Sequence, residues 1–397
     1  MSTIVFFMLP ELGHINPSFK LAKGLQRRGH SVRYLGAAER EDNVRSQGFE
    51  CISVFKKILP KGFLSSTVFD EIDKEWINDP DAFKHLIADQ AKIIQLCRSE
   101  IVDFIEQYKP DLLVVDVFLP AVALLARELG IHSVFLNPGF NMYHHYFQGE
   151  LAVLKGVPEL VLCPQEFDLP QQAEPGNHRY YIEPSIDLDR SELPFPWERV
   201  SKDKPLIYCT LGSQSHVYGE EGRHFFRTLV SAMASKQDWQ LVLAIGTALD
   251  PEDFEPVPTN VLLVRHAPQL QMLKRAAMMI THGGFGSVKE CIYLGVPMIV
   301  FPLRRDQPRN AARVVYHRLG VRGDITRVSI EMIHSLIEKI DRDPRFRSNV
   351  EVMGARFRQI EALSRGVKIV EKIMTILKQK SLRQATSYLG EESISAR

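Results

Sequence analysis

Thr281-His282-Gly283-Gly284-Phe285-Gly286-Ser287-Val288-Lys289-Glu290 is the stretch that decides the fold of its half of the chain. An apolar run, Met278–Ile280, precedes it, and Ser287–Leu294 has the apolar spacing of a helix that Gly295 ends. The sequence therefore predicts a buried strand, a glycine-rich bend and a helix start. This succession is the repeating unit of a parallel α/β sheet.

The junction between this strand and helix is suited to binding an anion. The first N–H groups of a helix have no partner within it, and the helix dipole adds positive charge there. His282 and Ser287 would add side-chain donors, and the Glu290 carboxylate on the same helix face could accept hydrogen bonds from sugar hydroxyls. A nucleotide sugar carries both groups. Ser287 and Glu290 also fit a capping box, in which they only satisfy the helix-start amides.

Further strand and helix patterns extend outward from this stretch in both directions. Apolar strands are predicted in the N-terminal half at Ile4–Leu9, Ser31–Leu35, Asp111–Val117 and Ser133–Leu136, and in the C-terminal half at Leu206–Thr210, Gln240–Ile245, Val261–Val264 and Met298–Phe301. Pro10–Pro17 is predicted as a loop, with a helix after it, and residues 50–81 as loops and short helices.

These patterns predict an α/β protein with two Rossmann-like, doubly wound domains that face each other across a cleft. The N-terminal domain, where an acceptor of the sugar would bind, is placed at residues 1–190. The domain that would bind the nucleotide-sugar donor is placed at residues 205–365. The proline-rich and charged segment Glu183–Pro205 is predicted as the linker between them. A helix at 366–380 is predicted to pack back toward the N-terminal domain, followed by a polar tail at 381–397.

Composition excludes several classes of protein. The chain has 397 residues, enough for two cores, with 45% hydrophobic and 24% charged residues. A formal net charge of +1 gives no general attraction to nucleic acid. Five scattered cysteines have no zinc or redox spacing. The first apolar run is too short for a membrane span or secretion signal, so a cytoplasmic protein without a membrane segment is expected.

The N-terminal half contains a histidine and an aspartate that could share a site. His14 follows the first predicted strand and Asp116 ends a later one. Because the carboxyl ends of parallel strands meet at one sheet edge, the two could be neighbours, with His14 as a general base that Asp116 orients. From the residues alone, a loop or capping histidine and a helix-capping carboxylate are the favoured interpretations.

The segment 137–175 is aromatic and irregular. Loops above a doubly wound sheet carry its ligand contacts, so Phe140, Tyr143 and His144 are candidates for binding an apolar acceptor. The alternative is that these side chains belong to an ordinary core. The two adjacent histidines do not form a metal site, because neighbouring residues face apart.

Taken together, several motifs resemble the UDP-glycosyltransferase superfamily, in particular its microbial natural-product and macrolide-type members. The resemblance is carried by Gly13-His14-Ile15-Asn16-Pro17 and by an ordered series in the C-terminal half: Ala267-Pro268-Gln269, the stretch from His282 to Glu290, Gly295-Val296-Pro297, Pro302, Asp306-Gln307 and Asn310. It covers most of the chain and is strongest at residues 260–312. The family has the GT-B fold.

The resemblance implies an inverting, metal-independent transfer of a hexose from a nucleotide sugar, with UDP-glucose expected, to a hydroxyl of a small lipophilic acceptor. It implies no cofactor besides the nucleotide sugar as co-substrate, and catalytic roles for His14 and Asp116. The positions that it implies for donor binding are Gly212, Ser213, His266, Gln269, His282, Gly284, Gly286, Ser287, Glu290, Asp306 and Gln307.

This chain also departs from the family pattern. Arg265-His266 stands where plant members have a tryptophan that stacks on uracil, and Gly286 replaces a common asparagine. Arg304-Arg305 precedes Asp306, and a solvated surface pair is the expected role of these arginines. A sugar-nucleotide epimerase and a non-catalytic, nucleotide-binding helper subunit are the alternative functions. The presence of His14, Asp116 and Asp306-Gln307 together disfavours both.

Overall fold

The computed structural model describes residues 1–54, 56, 91–92, 94–139, 147, 149–170, 178–212 and 218–379. The chain forms two compact units. The first comprises Met1–Leu162, Pro175–Ser185 and Glu361–Arg397, and the second comprises Cys163–Glu174 and Ile186–Ile360. Residues 186–205, predicted as a linker, thus belong to the second unit.

The first unit contains a seven-stranded, fully parallel sheet in the order β3-β2-β1-β4-β5-β6-β7. Its strands are β1 Thr3–Phe7, β2 Ser31–Ala37, β3 Glu50–Val54, β4 Leu112–Asp116, β5 Ser133–Asn137, β6 Glu159–Val161 and β7 Arg179–Tyr181. The prediction of loops and short helices at residues 50–81 was wrong at its start, where Glu50–Val54 forms the edge strand β3. Apart from residue 56, the rest of that segment lies outside the described residues. β6 and β7 have three residues each, which is too few to give a periodic pattern.

The helices of the first unit connect these strands or pack on them. They are α1 Leu12–Arg27, α2 Glu41–Ser46, α3 Arg98–Tyr108 and α4 Pro120–Glu128. The prediction of a loop at Pro10–Pro17 was wrong, since α1 begins at Leu12 and includes Pro17. Pro17 is the sixth residue of this helix, where it cannot donate a hydrogen bond to the Gly13 carbonyl and its ring crowds that carbonyl.

The second unit contains a six-stranded, fully parallel sheet in the order β10-β9-β8-β11-β12-β13. Its strands are β8 Leu206–Thr210, β9 Gln240–Ala244, β10 Val261–Val264, β11 Ala276–Thr281, β12 Met298–Val300 and β13 Gly320–Arg322. Its helices are α5 Gly219–Met233, α6 Gln269–Leu273, α7 Phe285–Leu294, α8 Gln307–Tyr316, α9 Ile330–Arg342 and α10 Arg345–Glu361.

Alternation along the central strand distributes the core of the first unit over both faces of its sheet. Ile4 and Phe6 pack in one cluster, and Val5 and Phe7 in the other, because successive strand side chains point to opposite faces. The last helix, α11 at residues 365–379, contributes Val367, Val370, Ile373 and Met374 to the cluster that contains Ile4 and Phe6. This C-terminal helix is therefore part of the first unit's core.

The strand order places one topological switch point in each sheet. In the first unit the sheet grows in opposite directions from β1 and β4, and in the second unit from β8 and β11. Ligands of doubly wound sheets bind beyond the carboxyl ends of the strands at such a point. In the part of the chain that the structure describes, no helix is both long and apolar enough to span a membrane.

Candidate active site

The histidine and the aspartate predicted in the N-terminal half meet at the switch point of the first sheet. β1 and β4 are hydrogen-bonded neighbours, with Phe7 opposite Val115. Asp116 is the last residue of β4, and His14 lies in the first turn of α1, which follows β1. Parallel pairing thus brings together two residues that are far apart in sequence.

The geometry of this pair fixes the histidine ring. His14 Nδ1 lies 2.9 Å from Asp116 Oδ2, and the aspartate side chain is fully buried whereas 16% of the histidine side chain is exposed. Asp116 Oδ1 also accepts from the Phe118 N–H at 3.0 Å. The Phe118 ring packs edge-on against the imidazole, with centroids 4.9 Å apart. An ionised Asp116 requires the proton on Nδ1, so Nε2 is the basic nitrogen of the neutral ring.

The interpretation of His14 and Asp116 as a loop histidine and a helix cap does not describe this arrangement. His14 is inside a helix, and α4 begins at Pro120, with Leu119 as its N-cap residue. Asp116 instead bonds the imidazole and the Leu9 N–H after β1 through Oδ2, and the Phe118 N–H after β4 through Oδ1. The pair can accept a proton at Nε2 and stabilise the imidazolium that forms.

The second switch point is built from two threonine-glycine turns in register. Thr210 and Thr281 pair across β8 and β11, and each threonine oxygen accepts from the N–H of the glycine two residues later at 3.2 Å, Gly212 and Gly283 respectively. Gly212 has a φ of +85°. The two turns thus end neighbouring strands in the same way.

His282 lies where only glycines leave room for it. A Cβ atom on Gly212 would be 2.5 Å from His282 Cε1, and one on Gly284 would be 2.4 Å from His282 Nε2. The absence of side chains at both glycines thus makes room for the imidazole, and it would also allow a phosphate to come close. Desolvation by burial lowers the pKa of His282 from 6.5 to about 4, so that the ring is neutral near pH 7 and offers one N–H donor.

The helix that follows has an N-terminus open to a ligand. α7 starts at Phe285, two residues before the predicted start, with Gly284 as its N-cap residue and no side chain capping it. The first-turn amides of Phe285, Gly286 and Ser287 have no acceptor within the helix. A Cβ atom on exposed Gly286 would have nothing within 4 Å, so this side of the helix start is open.

The capping-box interpretation of Ser287 and Glu290 was wrong. Ser287 is the third helical residue and not the N-cap. Its Oγ lies 3.3 Å from Gln269 Nε2, which also donates to Glu290 Oε2 at 2.7 Å. Three of the predicted donor-binding residues therefore form one network between α6 and α7, and both Ser287 and Glu290 are buried.

Two charged residues complete this network, and the sequence analysis placed both in the linker. The Arg190 guanidinium forms an ion pair with both oxygens of Glu290 and contacts Glu192 Oε1 at 3.3 Å. Glu192 accepts from the Leu270 N–H at 2.8 Å and the Gln271 N–H at 3.1 Å at the start of α6. No local pattern could have revealed contacts across 100 residues of chain.

Asp306 and Gln307 lie at the start of α8, next to the glycine turn. Gln307 Oε1 accepts from the Leu303 and Arg304 N–H groups at 2.9 and 3.0 Å, and its Nε2 donates to the Tyr218 hydroxyl at 3.0 Å. Asn310 Nδ2 donates to Asp306 Oδ2 and to the Gly283 carbonyl at 2.7 and 2.9 Å. These bonds tie the two loops at the ends of β11 and β12 together.

The other candidate residues are less directly connected. His266 is exposed, and its neighbour Arg265 donates to the Thr247 and Leu249 carbonyls. Ser213, Phe140, Tyr143 and His144 lie outside the described residues. Arg305 is exposed, as predicted for a surface pair, but Arg304 is only partly exposed and its NH1 atom is buried with no hydrogen-bond partner in the described part of the chain.

Comparison with known proteins tests the predicted family resemblance. The sequence profile described as "UDP-glucoronosyl and UDP-glucosyl transferase" matches residues 201–390. The NDP-glycosyltransferase YjiC of Bacillus subtilis is 24% identical over 92% of this chain and 96% of its own length. The chain thus resembles the UDP-glycosyltransferase superfamily. The predicted resemblance is thereby confirmed.

Further relatives agree with this resemblance and with the fold. The demethyllactenocin mycarosyltransferase of Streptomyces fradiae is 24% identical over 94% of this chain and 87% of its own length. The crystal structure of the glycosyltransferase SnogD from Streptomyces nogalater superposes with a TM-score of 0.74 at 19% identity, covering 94% of this chain and 99% of that chain. The predicted fold class, two doubly wound α/β domains of the GT-B type, is confirmed.

Proposed function

We propose that this protein is an inverting glycosyltransferase that transfers a hexose from a nucleotide sugar, UDP-glucose in the first instance, to a hydroxyl of a small lipophilic acceptor. The family resemblance supports a glycosyltransferase that uses a nucleotide sugar. The observation that carries the finer proposal is the His14–Asp116 pair, with Nδ1 and Oδ2 2.9 Å apart at the switch point of the first sheet.

The chemistry follows from the positions of the groups. His14 Nε2 takes the proton of the acceptor hydroxyl while that oxygen attacks the anomeric carbon. The bond from this carbon to the diphosphate oxygen breaks, and the nucleoside diphosphate leaves with the bonding electrons. A single displacement inverts the anomeric carbon. Asp116 holds Nδ1–H and stabilises the imidazolium that forms.

The second unit supplies groups for the departing diphosphate. The N-terminus of α7, with Gly286 and Ser287, presents amides and partial positive charge, and neutral His282 adds a donor. Donors that are already in place stabilise the developing charge without reorganising. This arrangement supports departure of the diphosphate without a metal, and metal independence is part of the proposal.

The remaining polar residues support the binding of the rest of the donor. In this proposal Gln269 and Glu290 hydrogen-bond the nucleoside, with Glu290 accepting from the ribose. Asp306, at the start of α8, hydrogen-bonds the transferred sugar. Both ends of the Gln307 amide are bonded within the protein, so its contribution to sugar binding is to hold the loop beside Asp306 in position.

The test is a transfer assay with purified protein, UDP- and dTDP-glucose, and a panel of phenolic, polyketide and sterol acceptors, with and without EDTA. We expect a product with one added hexose, its anomeric configuration opposite to that of the donor by NMR, and the same rate in EDTA. A product that retains the donor configuration, or activity lost in EDTA and restored by a divalent cation, would contradict the mechanism. Nucleotide binding without transfer would favour the helper function.

A further inference from the structure

Gln269, Ser287, Glu290, Arg190 and Glu192 form the network between α6 and α7, called here the donor-side network. Arg190 is the member of this network to which the proposed function gives no role. It lies in the segment that the sequence predicted as a linker, yet its side chain is 26% exposed and its guanidinium is held between two carboxylates that are nearly buried, Glu290 at 9% and Glu192 at 8% exposure. A surface arginine of a flexible linker would not be fixed in this way. Glu192 is itself fixed by two backbone amides of α6.

The contacts of Arg190 take up acceptor positions on Glu290. A carboxylate has about four such positions, two on each oxygen. Arg190 NH1 occupies one on Oε1, Arg190 NH2 occupies one on Oε2 at 3.2 Å, and Gln269 Nε2 occupies the second on Oε2 at 2.7 Å. One position, on Oε1, is left for a ligand.

We propose that Arg190 determines how many ribose hydroxyls Glu290 can bind, and so makes the enzyme tolerant of 2′-deoxyribose in its donor. The proposal rests on the proposed function, in which Glu290 accepts from the nucleoside sugar. With one acceptor position left, Glu290 accepts from a single hydroxyl. The 3′-hydroxyl is present in both ribo- and 2′-deoxyribonucleotides, so the 2′-hydroxyl adds little to binding. UDP- and dTDP-type donors are then both substrates.

Arg190 is a positioning residue in this proposal and not a catalytic one. Its bidentate geometry fixes the plane of the carboxylate, and its charge compensates a buried anion beside the place of another anion, the diphosphate. Without the guanidinium, Glu290 would regain one position on each oxygen, which leaves two positions on Oε1 and one on Oε2. It could then accept from the 2′- and 3′-hydroxyls together.

The experiment measures the dissociation constants of UDP and 2′-deoxy-UDP by calorimetry for the parent protein and Arg190→Met, which keeps the length of the side chain and removes its donors. The ratio of the two constants isolates the 2′-hydroxyl, because any general loss of affinity affects both nucleotides. We expect a ratio below about threefold for the parent. For Arg190→Met we expect about tenfold, the effect of one added hydrogen bond to a charged acceptor.

Control variants separate this role from a structural one. Arg342→Met removes an exposed arginine that pairs with Glu338 on the same helix, and its ratio should equal that of the parent. Arg190→Lys keeps the charge but has a single donor atom, so a ratio between those of the parent and Arg190→Met is expected. If thermal melting shows that Arg190→Met is unfolded, Arg190→Lys replaces it.

Two results would overturn the proposal. One is a parent that already binds UDP more than tenfold tighter than 2′-deoxy-UDP. The other is an unchanged ratio in both Arg190 variants, even if both affinities fall together, which would make the arginine merely structural. Failure of the proposed function gives a different result: a helper subunit would bind both nucleotides but show no transfer in the assay above, and a protein without a nucleotide-sugar site would bind neither.

Discussion

His14 and His282 each lie beyond the carboxyl end of a central strand at a switch point, after β1 and after β11 respectively, but their surroundings are opposite. His14 is paired with the buried Asp116 carboxylate, 2.9 Å from its Nδ1. His282 is surrounded by glycines, and burial lowers its pKa to about 4. The first setting favours a ring that becomes charged, and the second keeps the ring neutral. One fold thus provides a proton acceptor in one unit and a neutral donor in the other.

The largest effect is expected from removing the paired histidine. His14→Ala should lower the rate of transfer about 1,000-fold, the contribution of a well-placed general base, with UDP affinity unchanged. Transfer is measured by product mass and UDP binding by calorimetry. His224→Ala, which changes an exposed histidine of α5, is the control. Transfer at the parent rate in His14→Ala would exclude His14 as the base.

The next largest effect tests the carboxylate of the pair. Asp116→Asn should lower transfer about 100-fold, because an amide neither fixes the Nδ1–H tautomer nor stabilises the imidazolium, whereas the Phe118 N–H keeps an acceptor. The rate of transfer is measured across pH 6 to 9. Asp111→Asn, before the same strand, is the control. If transfer is lost equally in the two variants, the effect of Asp116 is structural.

The contrast also predicts how stability depends on pH. The pKa of His282 is about 4 when folded and 6.5 in its ordinary state. Between these values the unfolded chain binds a proton that the folded protein does not, so stability falls as pH drops from about 6.5 toward 4. At about 1.4 kcal/mol per pKa unit, and allowing for partial exposure of the ring, the loss is about 2 kcal/mol.

This loss is measured as the free energy of unfolding in urea at several pH values for the parent and for His282→Gln. Carboxylates titrate in both proteins, so the difference between the two curves isolates the histidine. The amount by which the free energy of unfolding of the parent exceeds that of His282→Gln should decrease or change sign as the pH falls. Only the parent has a histidine whose neutral form must be maintained at a cost in free energy. Parallel curves would show that burial does not hold this histidine neutral.

The smallest effect is expected within the donor-side network. Gln269→Ala removes bonds to Ser287 and Glu290, but Arg190 still holds Glu290, so UDP affinity should fall only about fivefold. Calorimetry measures this affinity. Gln271→Ala on the same helix, with an exposed side chain, should leave it unchanged. If Gln269→Ala lowers UDP affinity a hundredfold or more, Arg190 does not hold Glu290 in position without Gln269.

The sequence predicted the elements that depend on local patterns. Local patterns predicted β1, β4, β8 and β11, because buried strands are continuous apolar runs. They also predicted the bend after β11, because it is rich in glycine. The resemblance to the family supplied the candidate roles of His14, Asp116 and Glu290. β3, β6 and β7 were missed because each is short and begins with a charged residue, so that no continuous apolar run marks it.

By itself, then, the sequence determined the fold class, the family resemblance and the identity of the residues at the ends of the central strands. Only the tertiary structure decided which of them meet: parallel pairing brings Asp116 to His14, and packing of α6 on α7 brings Gln269 to Glu290. The segment before β8, which Glu192 fixes to the start of α6, brings Arg190 to the same carboxylate. Tertiary structure also decided that Ser287 is not a cap and that His282 is neutral. The physical reason is that hydrogen bonding and desolvation depend on distance in space, whereas local patterns report only distance along the chain.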